Sequence, residues 1–440
     1  MKIPKDMNLS VKSLGETNIS SPLSKHTECF EDNFFFTDSK KMRIRLDAHI
    51  TPEYSETKNI QSFELAGPSR SIYFEPKKTR AAIVTCGGLC PGLNDVIRAV
   101  VMELHYWYNV KNVIGIRYGY SGLATNPEYP PMKLTPDIVS EIHKQGGTIL
   151  GSSRGHPPVN EMVDTLVHKN INILFCIGGD GTLKGAHALV EEIERRGLKI
   201  SVVGIPKTVD NDIPFVYKSF GFKTAVAMAS QVIDCAHVEA VAAKNGVGLV
   251  KLMGRSAGFI SAYATCASGN ANYCLIPEMH FEPKGPGNLY QHLKARLLKK
   301  EHAVIVVAEG AGQHLIGDSG LCDASGNKKF SDIGRFLRFG MTDYFKSEWD
   351  MEINVKYISP SYIIRSVPAN SEDSILCADL GRLAVDAAMA GKTDLMIGHW
   401  HGEFTHVPFK AVQGVKKRVN SEQRLWTSVL SCTGQPLNWW

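Results

Sequence analysis

The chain has 440 residues, of which 43% are hydrophobic and 21% are charged, and its formal net charge is +5. This balance is typical of a globular protein with two or three domain-sized cores. The sequence has no apolar run near the roughly 20 residues of a membrane helix, no Lys/Arg block of the kind that binds nucleic acid and no CxxC metal pair. We therefore expect a cytoplasmic protein whose partners are neither membranes nor nucleic acids.

The N-terminal residues 1–78 are polar and show little periodicity, which indicates a partly ordered extension. Within them, the more apolar stretch at 63–76 is expected to pack on the core. From residue 79, short apolar segments alternate with amphipathic ones. In chain order these are the strand RAAIVTCGG, the helix LNDVIRAVVMELHYW, the strands VIGIRYGYSGL, INILFCIGGDG and LKISVVGIPKT, the strand and helix GVGLVKLMGRSAGFISAYATCASG, the strand HAVIVVAEGAG, the helix DSILCADLGRLAVDAAMAG and the strand DLMIGHW.

This alternation predicts an α/β fold with mostly parallel sheets, because the strands lack the polar alternation of a sheet with one solvated face. Two similar α/β units in tandem fit the pattern. Ligands bind such sheets beyond the carboxyl ends of the strands. The unusual residues of this chain follow those ends, at 87–88, 178–182, 207–212, 253–255 and 309.

The motif TCGGLCPGLN at 85–94 places backbone N–H groups between a strand and a helix. Such a turn binds anions through exposed amides and the helix dipole. A tight strand-to-helix turn without a ligand is the alternative. The chain has neither GxxxxGK[ST] nor GxGxxG, so no P-loop and no dinucleotide fingerprint is predicted.

The motif GGDGT at 178–182 sets a carboxylate among glycines at a strand end. The glycines allow a polyphosphate to approach the backbone, and Asp180 can hold the Mg²⁺ that a triphosphate needs. Thr182 can cap the following helix or donate to a phosphate. The alternative is a turn in which Asp180 is only a helix cap. The motif predicts phosphoryl transfer without naming the acceptor.

The motif PKTVDNDIPF at 206–215 places Lys207, Thr208, Asp210 and Asp212 together. Phosphoryl transfer to an alcohol needs a base at the hydroxyl and positive charge at the phosphate. Asp210 can be that base, Asp212 can orient it or bind a metal through water, and Lys207 can offset charge. An Asx-rich loop is the alternative.

Other candidates lie beside special glycines or strand ends. Glu309 ends an apolar strand, where it could accept hydrogen bonds from sugar hydroxyls. His399 and His401 form a tempting metal pair, but we expect them to pack, because nothing supplies a third ligand. Three arginines have the forked geometry that suits phosphate oxygens: Arg154, Arg255 and Arg365.

Taken together, the motifs resemble those of the 6-phosphofructokinases over residues 66–412. GGLCPGLN, GSSRG, GGDGT, PKTVDND, MGR, AEG and YIIR follow one another in that family's order. The resemblance implies two Rossmann-like three-layer α/β domains with the active site in the cleft between them. It implies transfer of the γ-phosphoryl of Mg-ATP to the 1-hydroxyl of fructose 6-phosphate, in a homo-oligomer (dimer or tetramer). The domains would be 79–221 plus 365–412 for the nucleotide and 222–364 for fructose 6-phosphate, with a C-terminal tail at 413–440.

The resemblance also implies roles for individual residues. The nucleotide-phosphate site would comprise Gly88, Arg154, Gly155, Gly179, Asp180, Gly181 and Thr182, with Asp180 on Mg²⁺. The catalytic residues would be Arg154, Thr208, Asp210 and Asp212, with Asp210 the base. The fructose 6-phosphate site would comprise Thr208, Val209, Asp210, Met253, Gly254, Arg255, Glu309, Lys356, Tyr362 and Arg365.

The chain departs from the short bacterial enzymes of that family. Gly246 stands where they have an arginine donated across a subunit interface. Tyr362 replaces a histidine. Lys356 replaces an arginine upstream of that histidine, and a lysine there can still bind a 6-phosphate. On the first helix Arg98 matches one effector-site arginine, but Met102 replaces the other, so the bacterial effector response is not expected.

Two positions bear on the phosphoryl donor. Pyrophosphate-dependent relatives have Asp at the position of Gly181 and Lys at that of Lys207. A carboxylate at 181 would repel and crowd the α-phosphate, so Gly181 favours ATP. The combination resembles the ATP-dependent branch of plants and trypanosomatids. The alternatives are a pyrophosphate-dependent phosphofructokinase, another GGDGT kinase acting on NAD or a lipid, and a catalytically inactive subunit.

Overall fold

The computed structural model describes residues 7–29, 35–36, 41–43, 61–317, 320 and 330–437. Much of the expected N-terminal extension therefore lies outside the described residues. The strands are β1 (Lys12–Ser13), β2 (Ile19–Ser20), β3 (Lys41–Arg43), β4 (Ser62–Leu65), β5 (Ser71–Ile72), β6 (Arg80–Thr85), β7 (Asn112–Ile116), β8 (Met132–Lys133), β9 (Ile173–Gly178), β10 (Ser201–Pro206), β11 (Gly246–Leu252), β12 (Tyr273–Leu275), β13 (His302–Ala308), β14 (Asn354–Ile358), β15 (Lys392–Thr393), β16 (Leu395–Trp400) and β17 (Glu403–Pro408). The helices are α1 (Leu93–Met102), α2 (Pro136–Val139), α3 (Val159–His168), α4 (Asp180–Arg195), α5 (Phe222–Val241), α6 (Phe259–Ser268), α7 (Leu289–Lys300), α8 (Ile333–Trp349), α9 (Ser361–Arg365), α10 (Ser371–Met389) and α11 (Arg424–Thr433).

The described residues group into two units. Unit 1 takes those within Met1–Thr208, Ile213–Phe220 and Pro368–Val415. Unit 2 takes those within Val209–Asp212, Gly221–Val367 and Lys416–Trp440. Some short pieces depart from the boundaries expected from sequence. Val209–Asp212, the last four residues of PKTVDND, and residues 365–367 belong to unit 2 instead of unit 1. The C-terminal residues from Lys416 onward also belong to unit 2.

Unit 1 is built on a sheet with the strand order β3-β4-β17-β16-β10-β9-β6-β7-β8. The five strands from β16 to β7 pair in parallel. The strands beyond them pair antiparallel. Helices cover both faces: Val84 and Cys176 pack with α3 and α4, whereas the intervening Ile83 and Phe175 are buried on the face of α1 and α10.

Unit 2 is built on a smaller sheet with the strand order β12-β13-β11-β14, in which all pairs are parallel. Val250 and Leu252 pack with α5 and α6 on one face. Leu249 packs with α7 and α8 on the other. The predicted α/β fold with mostly parallel, doubly covered sheets is confirmed.

Segments outside the regular alternation also contribute to the cores. Phe63 is fully buried in the core of unit 1, which confirms that the stretch at 63–76 packs there. The C-terminal segment is more than a tail, because α11 buries Trp426 and Val429 against α6 and β12. None of the helices in the described part of the chain has the length and apolarity needed to cross a membrane.

Candidate active site

Three loops leave the carboxyl edge of the unit 1 sheet side by side. They follow the neighbouring parallel strands β6, β9 and β10, in which Thr85 pairs with Ile177 and Pro206 pairs with Gly178. The Cys86 N–H donates to the carbonyl of Ile177 at 3.0 Å, and the Lys207 N–H donates to that of Gly178 at 2.9 Å. The three sequence motifs that begin here are therefore held together by backbone hydrogen bonds.

The loop GGDGT forms the start of α4. Gly179 is the N-cap, and no side chain makes a capping hydrogen bond, so neither Asp180 nor Thr182 is the cap that the sequence allowed. Asp180 is the first helical residue and is exposed. Thr182 is buried, because its hydroxyl lies directly beneath Gly178. The helix terminus thus presents backbone amides and one exposed carboxylate, which suits a phosphate–Mg²⁺ ligand.

Gly181 is the second residue of α4, and a Cβ atom at this position would meet no protein atom within 4 Å. Packing therefore does not require a glycine here. Glycine inside a helix costs about 0.5–1 kcal/mol relative to alanine. The open space beside Gly181 is explained better by a ligand than by the fold.

Lys207 lies beneath the glycine loop that follows β6. Its side chain is buried, and its Nζ donates to the carbonyl oxygen of Gly88 at 2.6 Å. The predicted donor-specificity lysine therefore supports the backbone of Gly88, in addition to offering positive charge.

Arg154 reaches the same edge through the loop GSSRG. The Gly87 N–H donates to the carbonyl of Ser153 at 3.2 Å. The Ser152 hydroxyl donates to the carbonyl of Gly87 at 2.5 Å. Arg154 is exposed, and Gly155 beside it adopts a φ of 80°. The nucleotide-site residues predicted in unit 1 thus share one sheet edge.

Unit 2 carries the second group of predicted residues at the carboxyl edge of its own sheet. Met253, Gly254 and Arg255 follow β11, and Glu309 follows the adjacent β13. The Glu309 N–H donates to the carbonyl of Leu252 at 2.9 Å. A Cβ atom on Gly310 would lie 1.9 Å from the carbonyl oxygen of Arg255, so the two loops touch closely.

Asp210 also belongs to unit 2. It is partly accessible, yet protein surrounds it closely, and this burial raises the pKa of its carboxyl from 3.8 to about 7, with the charges of Asp212 and Glu309 adding to the rise. The backbone N–H of Arg255 donates to the carboxylate, and the charge of Lys416 also favours the ionised form. A carboxyl with a pKa near 7 is suited to general-base catalysis at neutral pH.

The remaining predicted substrate residues lie on and after the edge strand β14. Lys356 is in the middle of that strand, opposite Gly248. Tyr362 and Arg365 lie on α9, where Tyr362 is 74% exposed and the Arg365 guanidinium is 4.7 Å from the centre of its ring. Gly246 has no room for the bacterial arginine, because a Cβ atom there would lie 2.0 Å from the carbonyl oxygen of Ala240.

The histidine pair behaves as a packing pair. His399 stacks on Phe404 with ring centres 4.6 Å apart, and His401 packs on Trp400. Among the described residues, one group of His, Cys, Asp or Glu side chains is close enough to share an ion: His280, Glu282 and His314. This group does not include His399, His401 or Asp180.

Sequence reasoning missed the C-terminal lysines. The Lys416 Nζ lies 3.7 Å from an oxygen of Asp212 and 3.1 Å from the Ser256 hydroxyl. The Lys417 Nζ donates to the Asn211 side-chain oxygen at 2.9 Å. The basic run VKKRV was the only local signal, and Ser256 and Asn211, which the two lysines bind, lie more than 150 positions away.

Residues 80–388 match the family model described as Phosphofructokinase. The chain is 47% identical over 440 residues to the ATP-dependent 6-phosphofructokinase of Borreliella burgdorferi, which covers 98% of both chains. It is 48% identical over 377 residues to ATP-dependent 6-phosphofructokinase 7 of Arabidopsis thaliana, which covers 85% of this chain and 77% of that one. Among solved structures, the pyrophosphate-dependent phosphofructokinase of Marinobacter aquaeolei shares the fold, with a TM-score of 0.66 and 19% identity over 80% of this chain and 91% of that chain.

Proposed function

The chain belongs to the phosphofructokinase family, and on that premise we propose that it transfers the γ-phosphoryl group of ATP to the 1-hydroxyl of fructose 6-phosphate, giving fructose 1,6-bisphosphate and ADP. The observation that best supports a mechanism is the carboxyl of Asp210, whose pKa of about 7 is set by burial and by two neighbouring carboxylates. A base with this pKa is ionised in part at neutral pH and still binds a proton well.

In the proposed reaction Asp210 accepts the proton of the 1-hydroxyl. The hydroxyl oxygen forms a bond to the γ-phosphorus while the bond from that phosphorus to the bridging oxygen of ADP breaks. Asp212 strengthens the base, because its negative charge raises the pKa of Asp210. Arg154 stabilises the charge that develops on the transferred group, and Thr208 contacts the sugar.

The donor is bound at the unit 1 edge by Gly88, Arg154, Gly155 and residues 179–182. Asp180 would hold Mg²⁺, because it is an exposed carboxylate at a helix N-terminus that makes no capping bond. When bound, the ion offsets negative charge on the phosphates of ATP. The amides at the start of α4 add positive potential toward the same phosphates.

Gly181 supports ATP as the donor over pyrophosphate. A Cβ atom on Gly181 would meet no neighbouring group within 4 Å, so the space on that side can hold the α-phosphate and leave a path for the nucleoside. Lys207 is the residue that would favour pyrophosphate. Its ammonium is engaged with the carbonyl of Gly88, which gives it a supporting role in this loop whichever donor is used.

The acceptor is bound at the unit 2 edge. Arg255 and Arg365 would contact the 6-phosphate, with Lys356 replacing the bacterial arginine and Tyr362 the histidine. Glu309 would accept hydrogen bonds from sugar hydroxyls. Val209, Met253 and Gly254 would complete the surface, and Met253 is buried in the core beneath it.

A paired assay tests the function. The purified chain is given fructose 6-phosphate with either ATP or pyrophosphate, and fructose 1,6-bisphosphate is measured. We expect faster turnover with ATP. Faster turnover with pyrophosphate would reverse the donor assignment, and no product with either donor would support an inactive subunit. The same protein is also given ATP with NAD or with diacylglycerol as the acceptor, which tests the alternative that it is a GGDGT kinase acting on NAD or a lipid.

The proposal extends to assembly and location. We place the enzyme in the cytoplasm as a homo-oligomer, either dimer or tetramer, on the family resemblance. The cysteines whose side chains the structure describes are free thiols, as a reducing compartment allows. Light scattering on the eluting protein would give the oligomeric state.

A further inference from the structure

The C-terminal segment 416–419, which we call the C-terminal strap, is bound to the loop that carries the base. The Lys417 N–H donates to the carbonyl of Asp212 at 2.9 Å, and the Lys417 Nζ donates to the side chain of Asn211 at 2.9 Å. Two bonds therefore join one residue of the strap to the two residues that follow Asp210.

Asn211 makes this attachment consequential. It is buried, and its φ of 56° puts it in the left-handed region, which non-glycine residues seldom adopt. This conformation sets the angle between the two peptide units that flank it, and hence the directions in which Asp210 and Asp212 project. A hydrogen bond that holds the Asn211 side chain thus helps to aim both carboxylates.

Lys417 occupies a costly position for a lysine. Its ammonium lies 5.2 Å from the centre of the Phe259 ring, and burial lowers the pKa of the amine to about 7 although Asp212 opposes the shift. Burying an ammonium group is unfavourable unless specific partners replace its water. The bond to Asn211 and the ring face replace part of that hydration, and the Nζ can donate to Asn211 whether the amine is charged or neutral.

The strap also binds the loop that begins with Met253. The Lys416 Nζ contacts the Ser256 hydroxyl at 3.1 Å. The N–H of Val419 donates to Glu278 at 2.8 Å, and the same carboxylate accepts from the Gly258 N–H at 3.0 Å. The strap is therefore fixed at both ends of its length, which gives Lys417 a defined place from which to hold Asn211.

We infer that Lys417 is a positioning residue, whose side-chain nitrogen holds Asn211 in the left-handed conformation by donating a hydrogen bond and thereby aims the Asp210 carboxyl at the hydroxyl it deprotonates. The inference rests on the proposed role of Asp210 as the base. It assigns the C-terminal strap a part in the reaction, acting through the loop and without contact to either substrate.

A double-mutant cycle between Lys417→Met and Asn211→Gly tests it. Methionine keeps the length and apolar stem of lysine, and glycine tolerates the positive φ. We expect each single variant to lower kcat about tenfold. The double variant should also lower it about tenfold, because both substitutions remove the same hydrogen bond between Lys417 and Asn211. The KM for ATP should stay unchanged. Additive losses, about a hundredfold in the double variant, would overturn the inference.

If Lys417→Met folds poorly, Asn211→Gly alone still tests the inference, because it removes the side-chain oxygen that accepts the hydrogen bond from Lys417. An unchanged kcat in Asn211→Gly also overturns the inference. Lys299→Met, at the exposed end of α7, is the matched control and should match wild type. Asp210→Asn separates the two claims. If it keeps full turnover, the proposed base is wrong; if it is inactive while the cycle is additive, only the inference about Lys417 fails.

Discussion

Replacing Gly181 by Asn and by Asp separates volume from charge at the donor site. Both side chains have the same size, and a Cβ atom at 181 meets no protein atom within 4 Å, so both variants should fold with a thermal midpoint close to that of the wild type. Gly181 lies in the first turn of α4, where Asn and Asp have higher helix propensity than Gly and the helix dipole favours a carboxylate. Any loss of activity in these variants must then come from a changed interaction between residue 181 and the bound donor.

The expected magnitude follows from Coulomb's law. A carboxylate about 4 Å from a phosphate charge costs about 1 kcal/mol in bulk water and about 4 kcal/mol at the effective dielectric constant of a protein surface. Gly181→Asp should therefore have a kcat/KM for ATP about fivefold to a thousandfold below that of Gly181→Asn. The KM for fructose 6-phosphate should not change in either variant.

Steady-state kinetics with ATP and with pyrophosphate would measure this difference, and thermal melting would check the fold. Equal losses in the Asn and Asp variants would show that volume alone matters at 181. Wild-type kinetics with ATP in Gly181→Asp would refute the reasoning, because Gly181 would then not face the nucleotide.

Four further predictions concern the base, the lysine that lowers its pKa, the acceptor and the stability. Asp210→Asn should lower kcat about 10²–10⁴-fold, and near wild-type turnover would exclude Asp210 as the base. Because the charge of Lys416 lowers the pKa of Asp210, Lys416→Met should move the acidic limb of the kcat/KM profile to higher pH; an unmoved limb would contradict that electrostatic link. Arg365→Ala should raise the KM for fructose 6-phosphate about ten- to hundredfold, as for a charge-assisted contact worth about 1.5–3 kcal/mol, and a raised KM for ATP alone would assign Arg365 to the donor. Burial raises the pKa of Asp386 to about 7 despite a hydrogen bond from the Tyr108 hydroxyl, so folding retains a proton that the unfolded chain releases near pH 4, and stability falls as pH rises through 7. Asp386→Asn should accordingly raise the melting midpoint more at pH 8 than at pH 5, and equal shifts at the two pH values would disprove this.

The sequence predicted the strands and turns of the site well, because their signals are local. Each strand from β6 to β11 that carries a site loop reads as an apolar run followed by glycine or a polar group. Asp180 and Asp210 stood out for the same reason. The short edge strands β12 and β14 were missed. Three to five residues without Gly or Pro turn signals on either side are too few to show a hydrophobic periodicity.

The rest of the site depends on contacts that no local pattern contains. Lys417 contacts Asn211, which is 206 positions away in the sequence. The roles of Asp180 and Thr182 depended on which residue caps α4. The predicted helix after β6 also ends early, at Met102, because the chain continues as a π-helical turn through Trp107. Amphipathic spacing does not distinguish these two continuations within one turn.

The order of strands in the unit 1 sheet has a consequence for how the chain is made. Strand β10 pairs with β9 on one side and with β16 on the other, and β4 pairs with β17. However, β16 follows β10 by about 190 residues in the sequence. At typical rates, the synthesis of that many residues takes about 10–40 s. During that interval all four strands of the unit 2 sheet leave the ribosome in sequence, whereas β10 keeps an open edge. An open strand edge is a template for pairing with other chains. The newborn enzyme is therefore most exposed to aggregation before residue 395 is made, and slower translation of residues 207–395 should lower the soluble yield of a chain whose finished form is stable.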